Sequence, residues 1–153
     1  MVEYLLGINL DGCIFQGGIH FGAVLFDDLW RHMPARLRRF LMLRQRPRGW
    51  LIQSANAIQA VGGLAVGTQR GEADTSFTQG QLERAGLHYD ALWMLPPGVA
   101  VIQHKVRCAS RCRVVIDDQQ EILDEIESIF GPACPRLYNS TRDQAAIQAW
   151  AGV

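Results

Sequence analysis

The chain alternates short apolar runs with stretches in which apolar residues recur at helical spacing. The apolar runs have strand length and occupy residues 4–10, 64–67, 91–95 and 114–116, with an edge strand at 135–138. The helical stretches cover about 50–60, 75–85, a short segment around Lys105, 120–130 and 140–150. Strands that alternate with helices predict a parallel sheet covered on both faces. The predicted fold class is therefore α/β, a three-layer Rossmann-like parallel sheet.

The region between residues 14 and 48 is less regular. The pair Gly17-Gly18 predicts a tight hairpin from 14–16 to 19–21, lying over the end of the first strand. A helical pattern begins at Asp27-Asp28, and Pro34 is expected to split that helix or to start a second one. We expect 22–48 to form a small helical lid whose apolar stripe faces the core, with the members Phe26, Leu29, Trp30, Met33, Leu37, Phe40 and Leu41.

Length and charge limit the possible classes of protein. A chain of 153 residues predicts a single domain, 1–153. The net charge is zero, so no overall field attracts nucleic acid or an anionic membrane. No apolar run approaches the roughly 20 residues that a membrane span needs. Without a signal peptide, the four cysteines are expected to be reduced and the protein cytoplasmic. The sequence does not determine the oligomeric state.

Candidate chemistry follows the predicted strands. Asn9 and Asp11 come after the first strand, Thr68 after the second, and the pair Asp117-Asp118 after the fourth. The ends of parallel strands meet in one crevice, where ligands bind. Lys105 precedes the fourth strand and is the one lysine beside fourteen arginines. A hydroxyl, an ammonium and carboxylates suit a phosphoryl group with bound magnesium, which prefers hard oxygen ligands.

The order of these segments resembles the four motifs of the haloacid dehalogenase (HAD-like) superfamily, most of whose members are magnesium-dependent phosphatases. Asn9-Leu10-Asp11-Gly12-Cys13 resembles motif I, and Val66-Gly67-Thr68-Gln69-Arg70 resembles the second-strand motif. Lys105 falls at the motif III lysine, and Val115-Ile116-Asp117-Asp118 resembles the metal-binding motif IV. The resemblance covers nearly the whole chain and is similar to the small phosphatases without a large cap domain.

The resemblance implies a phosphomonoesterase with Mg²⁺ as cofactor and a phosphorylated substrate. It implies that Asp11 is the general acid and base and that Gly12, Thr68 and Lys105 bind the phosphoryl group. It also implies that Asp11, Asp117 and Asp118 hold the metal. Without the resemblance, Asp117 and Asp118 have another interpretation. Acids favour helix N-termini, so this pair can cap the helix that follows.

Asn9 departs from the family pattern, since it stands where the superfamily has its nucleophilic aspartate. An amide is neutral and a poor nucleophile, so the phospho-aspartyl intermediate cannot form at this position. Two explanations remain open: a natural pseudo-phosphatase that binds without turnover, or a disabled form of an active enzyme. The alternative function is therefore a non-catalytic phosphate- and metal-binding or regulatory module.

The segment from Arg31 to Arg48 holds seven of the fourteen arginines. One interpretation is a basic patch for nucleic acid, as in a factor that processes nucleic-acid ends. The other is the solvated face of an amphipathic helix. The solvated face is favoured here because the net charge is zero and the aromatic residues follow the expected core stripe. Nucleic acid therefore remains a possible but less favoured partner.

Overall fold

The computed structural model describes residues 1–17 and 32–153. Within these residues the strands are β1 (Tyr4–Asn9), β2 (Phe15–Gln16), β3 (Arg46–Pro47), β4 (Leu64–Gly71), β5 (Ala91–Leu95), β6 (Cys112–Asp117) and β7 (Arg136–Asn139). The helices are α1 (Ala35–Leu43), α2 (Gly49–Gly62), α3 (Thr75–Arg84), α4 (Val101–Ala109), α5 (Gln120–Phe130) and α6 (Gln144–Ala151). Two short 3₁₀ turns, Glu72–Asp74 and Gly131–Ala133, complete the described elements.

Five strands form one parallel sheet in the order β5-β4-β1-β6-β7. The strand order reverses at β1, which pairs with β4 on one side and β6 on the other. In open sheets of this kind the ligand crevice lies at that reversal, beyond the carboxyl ends of the strands. The predicted three-layer Rossmann-like α/β fold is confirmed.

Apolar side chains cover both faces of the sheet because its central strands are buried on both sides. On one face, residues of β1, β4 and β6 pack with α2, α3 and α6, including Ile8, Val66, Ile116, Leu51, Leu82 and Ile147. On the other face, a smaller cluster joins the sheet to α4 and α5 through Ala65, Val115, Ala109 and Ile126. The two helical layers thereby fix the strand ends that carry the candidate site.

The structure tests only part of the predictions for the region before α2. The strand Phe15–Gln16 pairs antiparallel with Arg46–Pro47, a pairing that the sequence did not predict. The predicted second strand at 19–21 lies outside the described residues, as do Asp27-Asp28 and the apolar positions Phe26, Leu29 and Trp30. A helix does begin directly after Pro34, as predicted. Its expected core stripe is wrong at Leu37 and Phe40, which are 46% and 52% exposed.

The remaining predicted elements lie within a few residues of their expected bounds. The largest differences are four residues each. They lie at the start of α6, which is expected at 140 and observed at Gln144, and at the end of β4, which is expected over 64–67 and extends to Gly71. Its pairing with β5 shifts register between Gly67 and Gly71. This extension places Thr68 and Arg70 inside the strand, with both side chains buried. None of the helices in the described residues combines the length and the apolar composition that crossing a membrane requires.

Candidate phosphoryl-binding site

The carboxyl ends of four adjacent strands bring the predicted polar residues side by side. Asn9 ends β1 and is level with Gly67 of β4, the residue before Thr68. On the other side, Asp117 ends β6 and is level with Asn139 of β7. The residues that line a cavity beneath α4 include Asn9, Thr68, Lys105 and Asp117. The predicted convergence of strand ends is therefore present in the structure.

The side-chain amide of Asn9 joins the loop after β1 to the loop after β6. Its Nδ2 donates to the backbone oxygen of Asp11 at 2.6 Å and to Oδ1 of Asp118 at 3.0 Å. One nitrogen thus stands within hydrogen-bond distance of two oxygens, a carbonyl and a carboxylate. Asn9 is 7% exposed, so these contacts are sheltered from water.

Asp118 lies against the backbone of Gly12. Gly12 has φ +88°, and a Cβ built on it would lie 2.2 Å from Oδ2 of Asp118. Only glycine fits this conformation and this close approach. Burial and, next, the neighbouring charge of Asp117 raise the pKa of the Asp118 carboxyl, against smaller opposing effects that include Lys105 and the Asn9 hydrogen bond. The position therefore favours an added positive charge.

Lys105 is paired with the other acid of this segment. Its Nζ lies 2.6 Å from Oδ2 of Asp117, and both side chains are nearly inaccessible to solvent. Oδ1 of Asp117 accepts a hydrogen bond from the backbone nitrogen of Gln119, directly before α5. Asp117 is thus the partner of Lys105 and stabilises the turn before α5. Among the described residues no side-chain hydrogen bond caps α5, so the capping interpretation is wrong, and the role of Asp117 as a metal ligand stays a prediction.

Asp11 is surrounded by hydrogen-bond donors. Arg70 contacts both carboxylate oxygens, with Nη2 at 2.9 Å from Oδ1 and Nε at 3.2 Å from Oδ2. Gln45 donates to Oδ1 at 3.0 Å, and the hydroxyl of Thr68 donates to Oδ2 at 3.3 Å. Burial alone would raise the pKa of Asp11, but the Arg70 charge and these hydrogen bonds together hold that pKa below its usual value. Asp11 is therefore an anion in this arrangement.

Arg70 was not among the predicted site residues. Its guanidinium is 1% exposed and also donates to Thr78 and Gln81 of α3 at 3.1 and 2.6 Å, so its position is fixed from two sides. A signal for it existed, because side chains two apart on a strand share a face and Thr68 is already a site residue. Gln45 was missed as well, and nothing local in the sequence marks it.

All seven predicted site residues lie at this edge of the sheet, in two hydrogen-bonded groups. One group joins Asn9, Asp11, Thr68 and Asp118, with Gly12 against Asp118. The other is the pair Lys105 and Asp117. In the described residues no three His, Cys, Asp or Glu side chains are arranged to hold a metal ion by themselves.

Comparisons with known proteins add information on the fold. The sequence matches no protein-family model and no curated protein. Among solved structures, a chain of a Pnkp1/Rnl/Hen1 complex is similar with a TM-score of 0.63 and 12% identity. A chain of the Pnkp1/Rnl/Hen1 RNA repair complex is similar with a TM-score of 0.62 and 13% identity. Each match covers 90% of this chain and 46% or 42% of the other, so the chain spans less than half of their length.

Proposed function

We propose that this chain is an HAD-like phosphoryl-binding domain, built on the plan of a magnesium-dependent phosphomonoesterase and impaired in turnover by Asn9. The observation that carries the proposal is the Asn9 amide, which reaches both the Asp11 carbonyl oxygen and the Asp118 carboxylate. A side chain at the end of the first strand, a backbone oxygen two residues later and an acid after β6 meet at one point. That point is where a nucleophile and a metal would act on a phosphoryl group.

Lys105 is the proposed anchor for the phosphoryl oxygens. Its ammonium has three hydrogens, and Asp117 is its one hydrogen-bond acceptor in the described part of the chain. Two hydrogens are left for a ligand, while the pair with Asp117 holds the charge in place. The Thr68 hydroxyl on the other side of Asn9 donates its one hydrogen to Asp11, and it would donate to a phosphoryl oxygen by exchanging that hydrogen bond. The ammonium would offset negative charge on the phosphoryl group in a site with little access to water.

The oxygens at this point fit Mg²⁺. Magnesium in enzymes of this kind is held through one or two carboxylates together with substrate phosphate and water. Asp118 offers the carboxylate and Asp11 its backbone oxygen, while the Asp11 and Asp117 carboxylates are engaged by Arg70 and Lys105. Asn9 would contribute to the metal only with its amide oxygen turned inwards. When bound, Mg²⁺ would polarise a phosphoryl oxygen.

Two features favour binding over turnover. Asn9 has no carboxylate with which to attack phosphorus. Asp11 is held as an anion by Arg70, although a general acid must carry a proton to the leaving oxygen. A reaction would need a carboxylate at position 9, and the substrate on binding would have to loosen the contact between Arg70 and Asp11. The resting structure supplies neither, so we assign this chain the binding of phosphomonoesters.

The test compares this chain with Asn9→Asp on an aryl phosphate in the presence of Mg²⁺. We expect hydrolysis in Asn9→Asp, no hydrolysis in the parent chain, and a rise in the melting temperature of both when orthophosphate and Mg²⁺ are added. The matched control is Asn139→Asp, which makes the same substitution at the end of β7. No hydrolysis in either chain, together with no stabilisation by phosphate or Mg²⁺, would overturn the proposal.

Phosphorylated RNA ends are the second class of ligand to test. The structures of similar fold come from an RNA repair complex, and a terminal phosphate on RNA is a phosphomonoester. The same assay with a 3′- or 5′-phosphorylated oligonucleotide replaces the aryl group with a nucleoside. Preferential hydrolysis by Asn9→Asp would identify the ligand class, while activity on aryl phosphate alone would exclude these ends.

A further inference from the structure

Helix α1 contacts the body of the protein through polar side chains and turns apolar side chains outwards. Arg38 pairs with buried Asp74 at 2.9 Å, Met42 is buried, and Gln45, just beyond the helix, donates to Asp11. Three apolar residues of the helix are exposed: Leu37 by 46%, Phe40 by 52% and Leu43 by 61%. Leu37 and Phe40, which were assigned to the core stripe from the sequence, therefore face solvent. For these two positions, the argument that made a nucleic-acid patch less favoured does not hold.

The same surface carries unbalanced positive charge. Six arginines lie between Arg36 and Arg48, and no acidic residue occurs from Leu29 to Gly71. Asp74 pairs with Arg38 and Arg39. In the described residues, no ion pair involves the exposed Arg36, Arg44 or Arg46. Although the net charge of the chain is zero, positive charge is thus in local excess on one side of the candidate site.

The exposed ring of Phe40 is adjacent to one of these cations, Arg44. The guanidinium carbon of Arg44 lies 5.3 Å from the ring centroid of Phe40. An aromatic ring with arginines around it is the usual platform for single-stranded nucleic acid, because bases stack on the ring while the cations contact phosphates. The platform also adjoins the site, since Gln45 contacts Asp11 at 3.0 Å and β3 pairs with β2 just after the β1 loop.

We propose that the α1 surface, defined as Arg36, Leu37, Phe40, Leu43, Arg44 and Arg46, binds single-stranded nucleic acid and directs a phosphorylated end of that strand to the site. The second half of this statement rests on the proposed function, and the first half does not. A membrane is the less suitable occupant, because α1 has only nine residues and exposes only three apolar side chains. A duplex is less suitable because it offers no unstacked base to Phe40.

The experiment measures the fluorescence anisotropy of a labelled 12-nucleotide single strand between 50 and 200 mM salt. The variant Arg36→Gln/Arg44→Gln/Arg46→Gln should weaken binding at least about ten-fold and reduce the slope of log affinity against log salt by about 2. The charge-matched control, Arg84→Gln/Arg107→Gln/Arg113→Gln, removes three other exposed arginines. It should leave the slope nearly unchanged. Phe40→Ala should weaken binding between about 5-fold and 100-fold through lost stacking.

Several results would overturn the assignment. These are no binding at 50 mM salt, equal losses in the two triple variants, or a preference for a duplex of the same length. Binding to vesicles with anionic lipid that depends on Arg44, without binding to the oligonucleotide, would make a membrane the occupant. Circular dichroism of each variant separates lost binding from lost folding. Oligonucleotide binding without phosphate-dependent stabilisation would overturn only the proposed site function, and the reverse result only the α1 surface.

Discussion

A single buried guanidinium holds both oxygens of the carboxylate that follows the first strand. Arg70 Nη2 lies 2.9 Å from Oδ1 of Asp11, and its Nε lies 3.2 Å from Oδ2. Because Thr78 and Gln81 hold the other side of the guanidinium, the ion pair links the loop after β1 to α3. This link fixes the charge of Asp11 and the position of the loop together.

We expect Arg70→Met to lower the free energy of unfolding by about 2–3 kcal/mol. Removing one partner of a buried ion pair costs about 3–5 kcal/mol, and the 27% exposure of the Asp11 side chain reduces that cost through solvent screening. Urea denaturation measures the change. The control Arg113→Met, at an exposed position, should change stability by less than about 0.5 kcal/mol. A cost for Arg70→Met as small as that of the control would show that the ion pair does not stabilise the fold.

The lowered pKa of Asp11 also predicts a dependence on pH. A carboxyl whose folded pKa lies below its unfolded value of about 3.9 stabilises the protein above that unfolded value, and this stabilisation is lost as the pH falls through the folded pKa. Urea midpoints at pH 3 to 6 should therefore fall more steeply for the parent chain than for Arg70→Met. Parallel curves would contradict the assigned cause of the shift.

The ends of β4 show why part of the site was missed in the sequence. The apolar run stops at Val66-Gly67, and the polar residues after it are typical of a turn. The strand continues to Gly71 because the buried side chains of Thr68 and Arg70 have polar partners, Asp11 in the loop after β1 and Thr78 and Gln81 on α3. The periodicity of apolar positions along the sequence indicates which apolar side chains are buried. It does not indicate buried polar side chains that pair with distant segments. The fold and the strand ends were predictable, because their apolar runs and the residues that follow them are local.

The orientation of α1 has a similar cause. Local periodicity predicted Leu37 and Phe40 on the inner face. The observed inner face presents Arg38 and Gln45 to the body, where Asp74 and Asp11 accept their hydrogen bonds. Asp74 is buried and would be costly to leave unpaired, which favours the orientation of α1 that turns Arg38 inwards. The outward position of Phe40 then follows from contacts that the helix sequence does not contain.

The ionised carboxylate of Asp118 is expected to destabilise the folded protein, which is the opposite of the effect of Asp11. Burial and the Asp117 charge raise its pKa, so the folded protein is penalised as the pH rises through that pKa and the carboxyl ionises. In EDTA at pH 7, Asp118→Asn should raise the melting temperature, because an amide oxygen still accepts from Asn9 without carrying charge. The gain should vanish at a pH below the unfolded pKa. Added Mg²⁺ should stabilise the parent chain and leave Asp118→Asn unchanged, and equal responses would exclude Asp118 as a metal ligand.

Lys105 and Asp117 should behave as one unit. Lys105→Met leaves a carboxylate that is 3% exposed without its cation, and we expect a loss of about 3–5 kcal/mol in unfolding free energy. The double variant Lys105→Met/Asp117→Asn should recover part of this loss, because the amide is neutral and its oxygen still accepts from Gln119. Urea denaturation of both variants gives the comparison. Additive losses would mean that the two side chains are energetically independent.

A matched pair of variants separates the energetic cost of a side chain between Gly12 and Asp118 from the cost of backbone strain. Gly12 and Gly17 have similar positive φ values, +88° and +82°, but a Cβ at Gly17 meets nothing within 4 Å. Gly17→Ala should therefore cost only the conformational strain, about 1 kcal/mol. Gly12→Ala adds a 2.2 Å clash with the Asp118 carboxylate and should cost more, about 2–4 kcal/mol.

Because that clash displaces Asp118 from Asn9, Gly12→Ala should also abolish stabilisation by Mg²⁺ and phosphate, whereas Gly17→Ala retains it. Thermal melting of the two variants with and without these ions makes the comparison, and an unchanged ion response in Gly12→Ala would show that the contact does not shape the site.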